Sequence, residues 1–503
     1  MGENDVTAAE RIVAAVRAAE AGEHSRDDAL RAITENDLAD VLHTTIGDHG
    51  AQILCSGIAA APGAGVGKLC LSVDAVLDVV DSGGQAIMVA METGPEDEPG
   101  MRWSSGVVTA HGGLASHAAI YSRGMGLPAV CGVAGLIVED GAIRVDDVVV
   151  AEGEVLTVDG AAGSVLLGDV EVDAADAPPE LETLSQWADE VRRGRLGIRA
   201  NADTGADAAE ARALVAEGVG LCRTEHMFLG DRLPVVRRVL TALTDAEREL
   251  GLHHLEEVQR DDFCHVLEAM DGLPVTVRLL DAPLHEFLEE SHEQNPMLGL
   301  RGVRLAMAMP DLYRAQVRAL LHAVSARRKA GGHPIVEIMV PLVSIEEELA
   351  LARAGILEEV EDAGVEGISV GTMIETPRAA LRAGDLAAHA DFMSFGTNDL
   401  TQMTYGFSRD DVETSVVVPY MDNGMIDRSP FDALDREGVG ELVAIAVERG
   451  RAANPAIKIG ICGEHGGDPN SIAFIAAAGV DYVSCSPPRV PIARLAAAHA
   501  LLD

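Results

Sequence analysis

Four sets of residues have the types and spacing to do chemistry. The run from Thr109, T-A-H-G-G-L-A-S-H-A-A-I-Y-S-R-G-M-G, pairs two glycines with a Ser-His dipeptide. The glycines allow a tight turn, Ser116 is a good helix cap, and His117 falls in the first turn of the helix that follows. A helix N-terminus favours anions, and a neutral imidazole is a competent nucleophile toward phosphorus, so a phosphate on His117 is stabilised there. Arg123, further along the same helix, can add positive charge. The plainer alternative is a core histidine behind a glycine turn. Arg223, Arg278 and Arg301 form the second set, and their planar forks match phosphate and carboxylate groups. In so acidic a chain they can equally be salt-bridge partners. Glu375 and Asp399, with Asn398 beside Asp399, form the third set. Two carboxylates plus substrate oxygens and waters make a Mg²⁺ site, and either one alone is as readily a solvated carboxylate. The fourth is Cys462 in G-I-C-G-E-H-G-G, expected to be exposed with its thiolate favoured by nearby cations. Its alternatives are a packing residue, or half of a metal site with His465.

Two resemblances to known motifs fail. A61-P-G-A-G-V-G-K has the outline of a phosphate-binding loop, but Pro62 replaces the first glycine and Leu69 the Ser/Thr that holds Mg²⁺. It reads as a glycine turn between strands. His226, His285 and His465 read as structural or loop histidines.

These groups need elements to position them. Residues 5–22 and about 26–43 read as helices, and no strand signal precedes residue 52. From 51 to 170, short β-rich runs separated by Gly and Asp turns, with one helix at 116–124, predict a compact β/α domain. Residues 171–195, acidic and with two prolines, read as a linker carrying a helix. After 195, eight apolar strand candidates alternate with helices: 196–202, 218–224, 274–281, 335–342, 367–375, 392–398, 457–463 and 482–486. Near-continuous apolar strands alternating with helices indicate a parallel sheet, and eight units fit a (β/α)₈ barrel over 196–503. Polar residues end many of these strands (Asn201, Arg223, Arg278, Glu375, Asn398, Asp399, Cys462, Ser484). That pattern favours the barrel, whose C-terminal rim carries active sites, over an open doubly wound sheet.

Composition narrows the function. The chain has 503 residues, with 81 acidic against 38 basic, and a net charge of −43. Such a charge disfavours nucleic acid and anionic membranes as partners. Lys68, Lys329 and Lys458 are the only lysines, which suits either a salt-adapted proteome or a GC-rich genome. At 48% apolar the chain can build cores, but at 3% aromatic they are made of Ala, Val, Leu and Ile. The seven cysteines are scattered without a C-x-x-C pair, the start is acidic, and no apolar run spans a bilayer. A reducing cytoplasm is the expected compartment.

The run GGLASHAAIYSRGMGLPAV resembles the phosphohistidine signature of the PEP-utilising enzymes. Blocks at 218–228 (GVGLCRTEHMF), 275–288 (VTVRLLDAPLHEFL), 295–305, 371–381, 395–411 and 460–469 agree in family order, and LHEFL points to the pyruvate, phosphate dikinase branch. The resemblance implies a swivelling β/β/α phosphohistidine domain at 51–170 before a PEP/pyruvate-binding TIM barrel, and a phosphotransferase passing phosphate between PEP and His117. It implies Arg223, Arg278, Arg301, Glu375, Thr397, Asn398, Asp399 and Gly463 as substrate-binding residues. It also implies Mg²⁺ on Glu375 and Asp399, Cys462 as the general acid/base, and a homodimer through the barrel. Residues 1–50 resemble the tail of the family's ATP-binding domain, which the sequence is expected to lack, leaving a half-reaction with a separate ATP-binding subunit or phosphoryl acceptor. Position 115 is Ala, where the dikinases carry a regulatory Thr, so that control is expected to be missing. The alternative is a catalytically degenerate PEP/pyruvate-binding regulator.

Overall fold

The computed structural model describes residues 6–502, apart from 48–49, 95–96, 114–115, 140, 174, 176, 229–231 and 289–292. The chain forms two compact units. Met1–Val191 with Phe407–Ala433 and Leu502–Asp503 form the first, and Arg192–Gly406 with Leu434–Leu501 the second.

The first unit opens with helices Ala8–Glu20, Arg26–Ala32 and Glu35–Leu42. Each begins on a reciprocal cap, Thr7 with Glu10, Ser25 with Asp28 and Thr34 with Asp37. A cap of this kind contributes about 1 kcal/mol. The third cap explains why the single helix expected over 26–43 is two: Ile33 turns extended and Thr34 starts a new helix. A two-residue strand, Thr45–Ile46, pairs antiparallel with Val172–Asp173, ahead of the first expected strand. Two residues are too few to show an alternation.

The β/α domain of this unit holds an eight-stranded sheet. Its order is Ile53–Ser56, Ser164–Leu167, Val155–Asp159, Ala64–Cys70, Ala86–Ala90, Gly106–Thr109, Ala129–Cys131 and Ile58–Ala61. Pairing is parallel from Ala64–Cys70 through Ala129–Cys131 and antiparallel on both flanks. A second, three-stranded antiparallel sheet spans Leu136–Glu139, Ala142–Val145 and Val148–Ala151. The run at 61–68 is the expected turn between strands: Ala61 ends one and Ala64 starts the next. Besides the expected helix, now His117–Met125, the domain has helices Val73–Asp81 and Glu98–Trp103. Four valines and a leucine gave the first a strand-like composition, and Pro and Gly obscured the second.

The second unit is a closed parallel barrel of eight strands, Gly197–Asn201, Val219–Arg223, Pro274–Arg278, Ile335–Val340, Ile368–Ile374, Phe392–Phe395, Lys458–Ile461 and Tyr482–Cys485. All eight expected strands are present. Their residues are buried almost without interruption, as in Phe392–Phe395, because helices cover the outer faces. Inside the barrel, Arg199 on the first strand donates to Glu337 on the fourth at 2.7 Å and to Thr276 on the third at 3.2 Å. Lys458 on the seventh strand also ion-pairs with Glu337. These pairs hold the Glu337 carboxyl down at about 2 although burial alone would raise it. Among the described residues no helix is long and apolar enough to cross a membrane.

Candidate active site

The C-terminal ends of the barrel strands gather the arginines and carboxylates. Arg223 and Arg278 end adjacent strands in register. Arg223 leans on Asp203: its backbone N–H donates to Oδ1 at 2.7 Å and its Nε to Oδ2 at 3.1 Å. His226 Nδ1 lies 2.9 Å from the same carboxylate. Burial would raise Asp203, but Arg223 and His226 hold it well below the usual carboxylate range. Arg278 pairs with Glu225 and lies 3.3 Å from Asp281. Arg301 donates through Nε and Nη2 to both Asp281 oxygens, at 3.0 and 2.9 Å, and reaches Asp399 at 3.3 and 3.4 Å. Asp281 thus bridges two arginines. The residue after Arg301 must be glycine: Gly302 has φ +55°, and a Cβ there would sit 2.6 Å from Asp281 Oδ1. Asp203, Glu225 and Asp281 were not among the expected site residues. The signal available was position only, because Asp281 follows Arg278 by three residues at a strand end.

Glu375 follows the fifth strand and is fully buried. Its Oε1 accepts from Leu342 N at 2.5 Å, and its Oε2 has no partner. Leu342 itself takes φ +57°, a conformation that costs about 1–3 kcal/mol and recurs at functional sites. Burial, then the charges of Asp281 and Asp399, push the Glu375 carboxyl well above its usual range, against Arg278 and Arg301. An orphaned buried oxygen on a carboxyl crowded by Asp281 and Asp399 fits the divalent metal expected on Glu375 and Asp399. Among the described residues no group of three His, Cys, Asp or Glu side chains forms a metal cluster. His465 instead contacts Thr397 Oγ1 through Nδ1 at 2.7 Å, and Asn398 Oδ1 accepts from Glu464 N at 3.1 Å. Gly463 packs so closely that a Cβ would lie 2.0 Å from Thr397 Oγ1.

Cys462 differs from expectation. It is only 2% exposed, packed with Leu221, Met339, Met373 and Phe392, and its Sγ points to Phe395 O at 3.6 Å. Burial pushes the thiol up to about 11, outweighing Arg278 and Arg223. The group at this height is therefore a neutral thiol with a proton to give, not a standing thiolate.

In the first unit, Ser116 caps the His117 helix, accepting from Ala119 N at 3.4 Å. Gly112, at φ +108°, makes the preceding turn, where a Cβ would strike Ser116. His117 Nδ1 lies 3.0 Å from Thr93 Oγ1, Nε2 lies 3.4 Å from Glu98 Oε1, and Tyr121 stacks on the ring at 6.0 Å. The charge expected from Arg123 is directed elsewhere: its guanidinium donates to Ala60 O at 3.1 Å and to Asp432, also at 3.1 Å. Two turns into the helix, the long Arg123 side chain reaches a carboxylate within its own unit instead of the helix start. Thr93 and Glu98 were not foreseen, since both precede His117 by about 20 residues. Ala115 lies outside the described residues.

A fold of this kind with these rims has relatives. Residues 179–502 match the PEP-utilising enzyme, PEP-binding domain, and residues 83–163 the PEP-utilising enzyme, mobile domain. The chain belongs to the PEP-utilising enzymes. Among curated proteins it is 45% identical over 539 residues to pyruvate, phosphate dikinase of Rhizobium meliloti (strain 1021), across 99% of this chain and 59% of that protein. It is 42% identical to pyruvate, phosphate dikinase 1, chloroplastic, of Arabidopsis thaliana, across 95% of this chain and 53% of that one. The chain therefore spans little more than half the length of these relatives.

Proposed function

We propose that the chain catalyses reversible phosphoryl transfer between phosphoenolpyruvate and His117, giving pyruvate and a phosphohistidine. The observation that carries this reading is one rim with three arginines, each paired with a carboxylate, beside a buried carboxylate oxygen without a partner. Arg223, Arg278 and Arg301 bind the phosphate and carboxylate of the substrate, exchanging their resident carboxylates for its oxygens. Glu375 and Asp399 hold Mg²⁺, which when bound neutralises phosphoryl charge. Thr397, Asn398 and Gly463 shape the wall beside Cys462, and the Asn398 amide orients the substrate.

In the forward direction a bond forms between a His117 ring nitrogen and phosphorus while the phosphorus–enol oxygen bond breaks. The electron pair leaves on the enolate. The Cys462 thiol then gives its proton to the enolate methylene carbon, and the resulting thiolate faces Arg278 and Arg223. A thiol held near 11 is matched to this task, because it is protonated throughout the neutral range. Exchange on the other side of His117 falls to a nucleotide-binding unit or another phosphoryl acceptor.

The test is labelled PEP with Mg²⁺. The expected product is an acid-labile, base-stable phosphate on the protein, absent from His117→Ala. Protein that binds PEP but never takes up label refutes the transfer and leaves a PEP-binding regulator.

A further inference from the structure

The contacts around His117 raise a difficulty for any phosphoryl transfer to it, and one side chain accounts for the difficulty. A histidine nitrogen attacks phosphorus with its lone pair, so it must carry no proton. His117 has an oxygen partner on each ring nitrogen. Thr93 Oγ1 lies 3.0 Å from Nδ1 and Glu98 Oε1 lies 3.4 Å from Nε2. A threonine hydroxyl donates or accepts, whereas an ionised carboxylate only accepts. One arrangement of the neutral ring satisfies both contacts: the Thr93 hydroxyl donates to Nδ1, and Nε2–H donates to Glu98. The opposite tautomer would point the Nε2 lone pair at a carboxylate oxygen.

The two partners differ in reach: the Thr93 hydroxyl sits on a short β-branched side chain with one torsion, whereas Glu98 carries its carboxylate on three. Glu98 opens the short helix Glu98–Trp103, and its side chain is 38% exposed. The side chain of His117 is 19% exposed. Glu98 is therefore the partner able to swing away, which makes Nε2 the nitrogen that can be uncovered. Among the described residues, the titratable groups that contact the ring are Glu98 and, on its own helix, Tyr121.

We propose that Glu98 guards the phosphoryl-accepting nitrogen: it holds a proton on Nε2 and so keeps the lone pair off that nitrogen until the carboxylate is displaced. This rests on the reading of His117 as the phosphoryl acceptor. An incoming phosphoryl group is anionic and repels the carboxylate, so arrival of the donor itself releases the guard. As Glu98 leaves, the Nε2 proton passes to its carboxylate or to water, a proton is taken up on Nδ1, and that N–H donates to Thr93, whose hydroxyl reverses role. Nε2 then forms the bond to phosphorus as the donor's bond to phosphorus breaks. On the phosphorylated ring Glu98 must stay withdrawn, since two anions would otherwise face each other. The guard thus suppresses adventitious phosphorylation of the resting protein.

Phosphoramidate tests this without using the PEP site. It phosphorylates histidine directly: its nitrogen–phosphorus bond breaks, the ring nitrogen–phosphorus bond forms, and ammonia leaves with the ring proton. In full-length protein carrying ¹⁵N-histidine, two-bond proton–nitrogen spectra should show wild-type His117 with its proton on Nε2, the signal being assigned by its absence in His117→Ala. Glu98→Ala should shift the population toward the Nδ1–H form and speed phosphoramidate labelling at Nε2 about fivefold, the worth of one net hydrogen bond. Glu98→Gln keeps an acceptor for Nε2–H without the charge, so it should keep the wild-type tautomer and label at a rate between the two. Unchanged tautomer and unchanged rate in Glu98→Ala overturn the proposal, as does labelling on Nδ1. Failure of PEP labelling alongside a faster Glu98→Ala reaction with phosphoramidate would sink the PEP reading alone. PEP labelling with no effect of Glu98→Ala would sink the guard alone.

Discussion

The state of Cys462 gives the sharpest prediction, because the two directions of the reaction need different forms of it. Making pyruvate needs the thiol, and removing a methyl proton from pyruvate needs the thiolate. Burial places the thiol at about 11 against an ordinary 9.0. At pH 8 the thiolate fraction is then about one in a thousand, where an ordinary thiol has roughly one in ten. Exchange of pyruvate methyl protons into D₂O, followed by NMR with Mg²⁺ present, should therefore climb about tenfold per pH unit from 7 to 10. Protonation of the enolate formed from PEP should stay flat over the same range, since the thiol remains above nine-tenths occupied. Alkylation by iodoacetamide should be about a hundredfold slower at Cys462 than at an exposed thiol. Cys462→Ala should lose exchange while still binding pyruvate. A pH-independent exchange rate from 7 to 9, or wild-type exchange in Cys462→Ala, would refute the assignment of the proton to this thiol.

Three further outcomes follow from the same rim. Glu375→Ala should abolish metal-dependent PEP binding with the fold intact, and calorimetry with and without EDTA would expose the error if PEP affinity is unchanged. Asp203→Ala strands Arg223 and His226 and should destabilise the barrel by about 3–5 kcal/mol, read from urea unfolding; a loss under about 1 kcal/mol would mean those groups find water instead. Because the folded-state value of Asp203 is depressed, its contribution is fully present above the ordinary carboxylate value and is lost progressively as pH falls from there toward the lower folded value. Gly302→Ala puts a Cβ against Asp281 and Leu342 at φ +55° and should displace Arg301. PEP binding weakened tenfold or more is expected, and unaltered binding would show that Arg301 is placed by something other than this turn.

Much of the barrel was legible because its strands are buried on both faces, which writes them as nearly continuous apolar runs such as IVEIMV and FMSF. Arg223, Arg278 and Glu375 were readable for the same reason, since they end those runs or directly follow them, and Asp399 lies four residues past another. Their carboxylate partners were not. Glu225 becomes a partner of Arg278 only through the register of neighbouring strands, Asp281 joins two arginines only once Arg301 folds back onto it, and Asp203 meets Arg223 where the first barrel strand's end lies beside the second's. Thr93 and Glu98 reach His117 from other segments of the small domain, where no periodicity marks them. The exposure of Cys462 was misjudged because a strand-end position fixes height along the barrel and says nothing of how far the side chain turns inward. The helix at Val73–Asp81 was hidden by valine, whose propensity is outweighed there by the Ser72 cap and by burial of Val76.

The ion cluster inside the barrel bears on how the chain finds its fold. An apolar layer can be partly satisfied by any greasy neighbour, so half a barrel could collapse on itself. Glu337 cannot be satisfied that way. Its partners come from 138 residues before it and 121 after it, from the first and seventh strands. Until both ends of the barrel sequence have arrived, a carboxylate lies in the interior with its charge unanswered, and a strand slipped by one residue would turn Arg199 outward and leave the same deficit. The cluster therefore works as a proofreading device for ring closure. It makes incomplete or misregistered barrels costly and couples the first half of the barrel to the second in one cooperative transition.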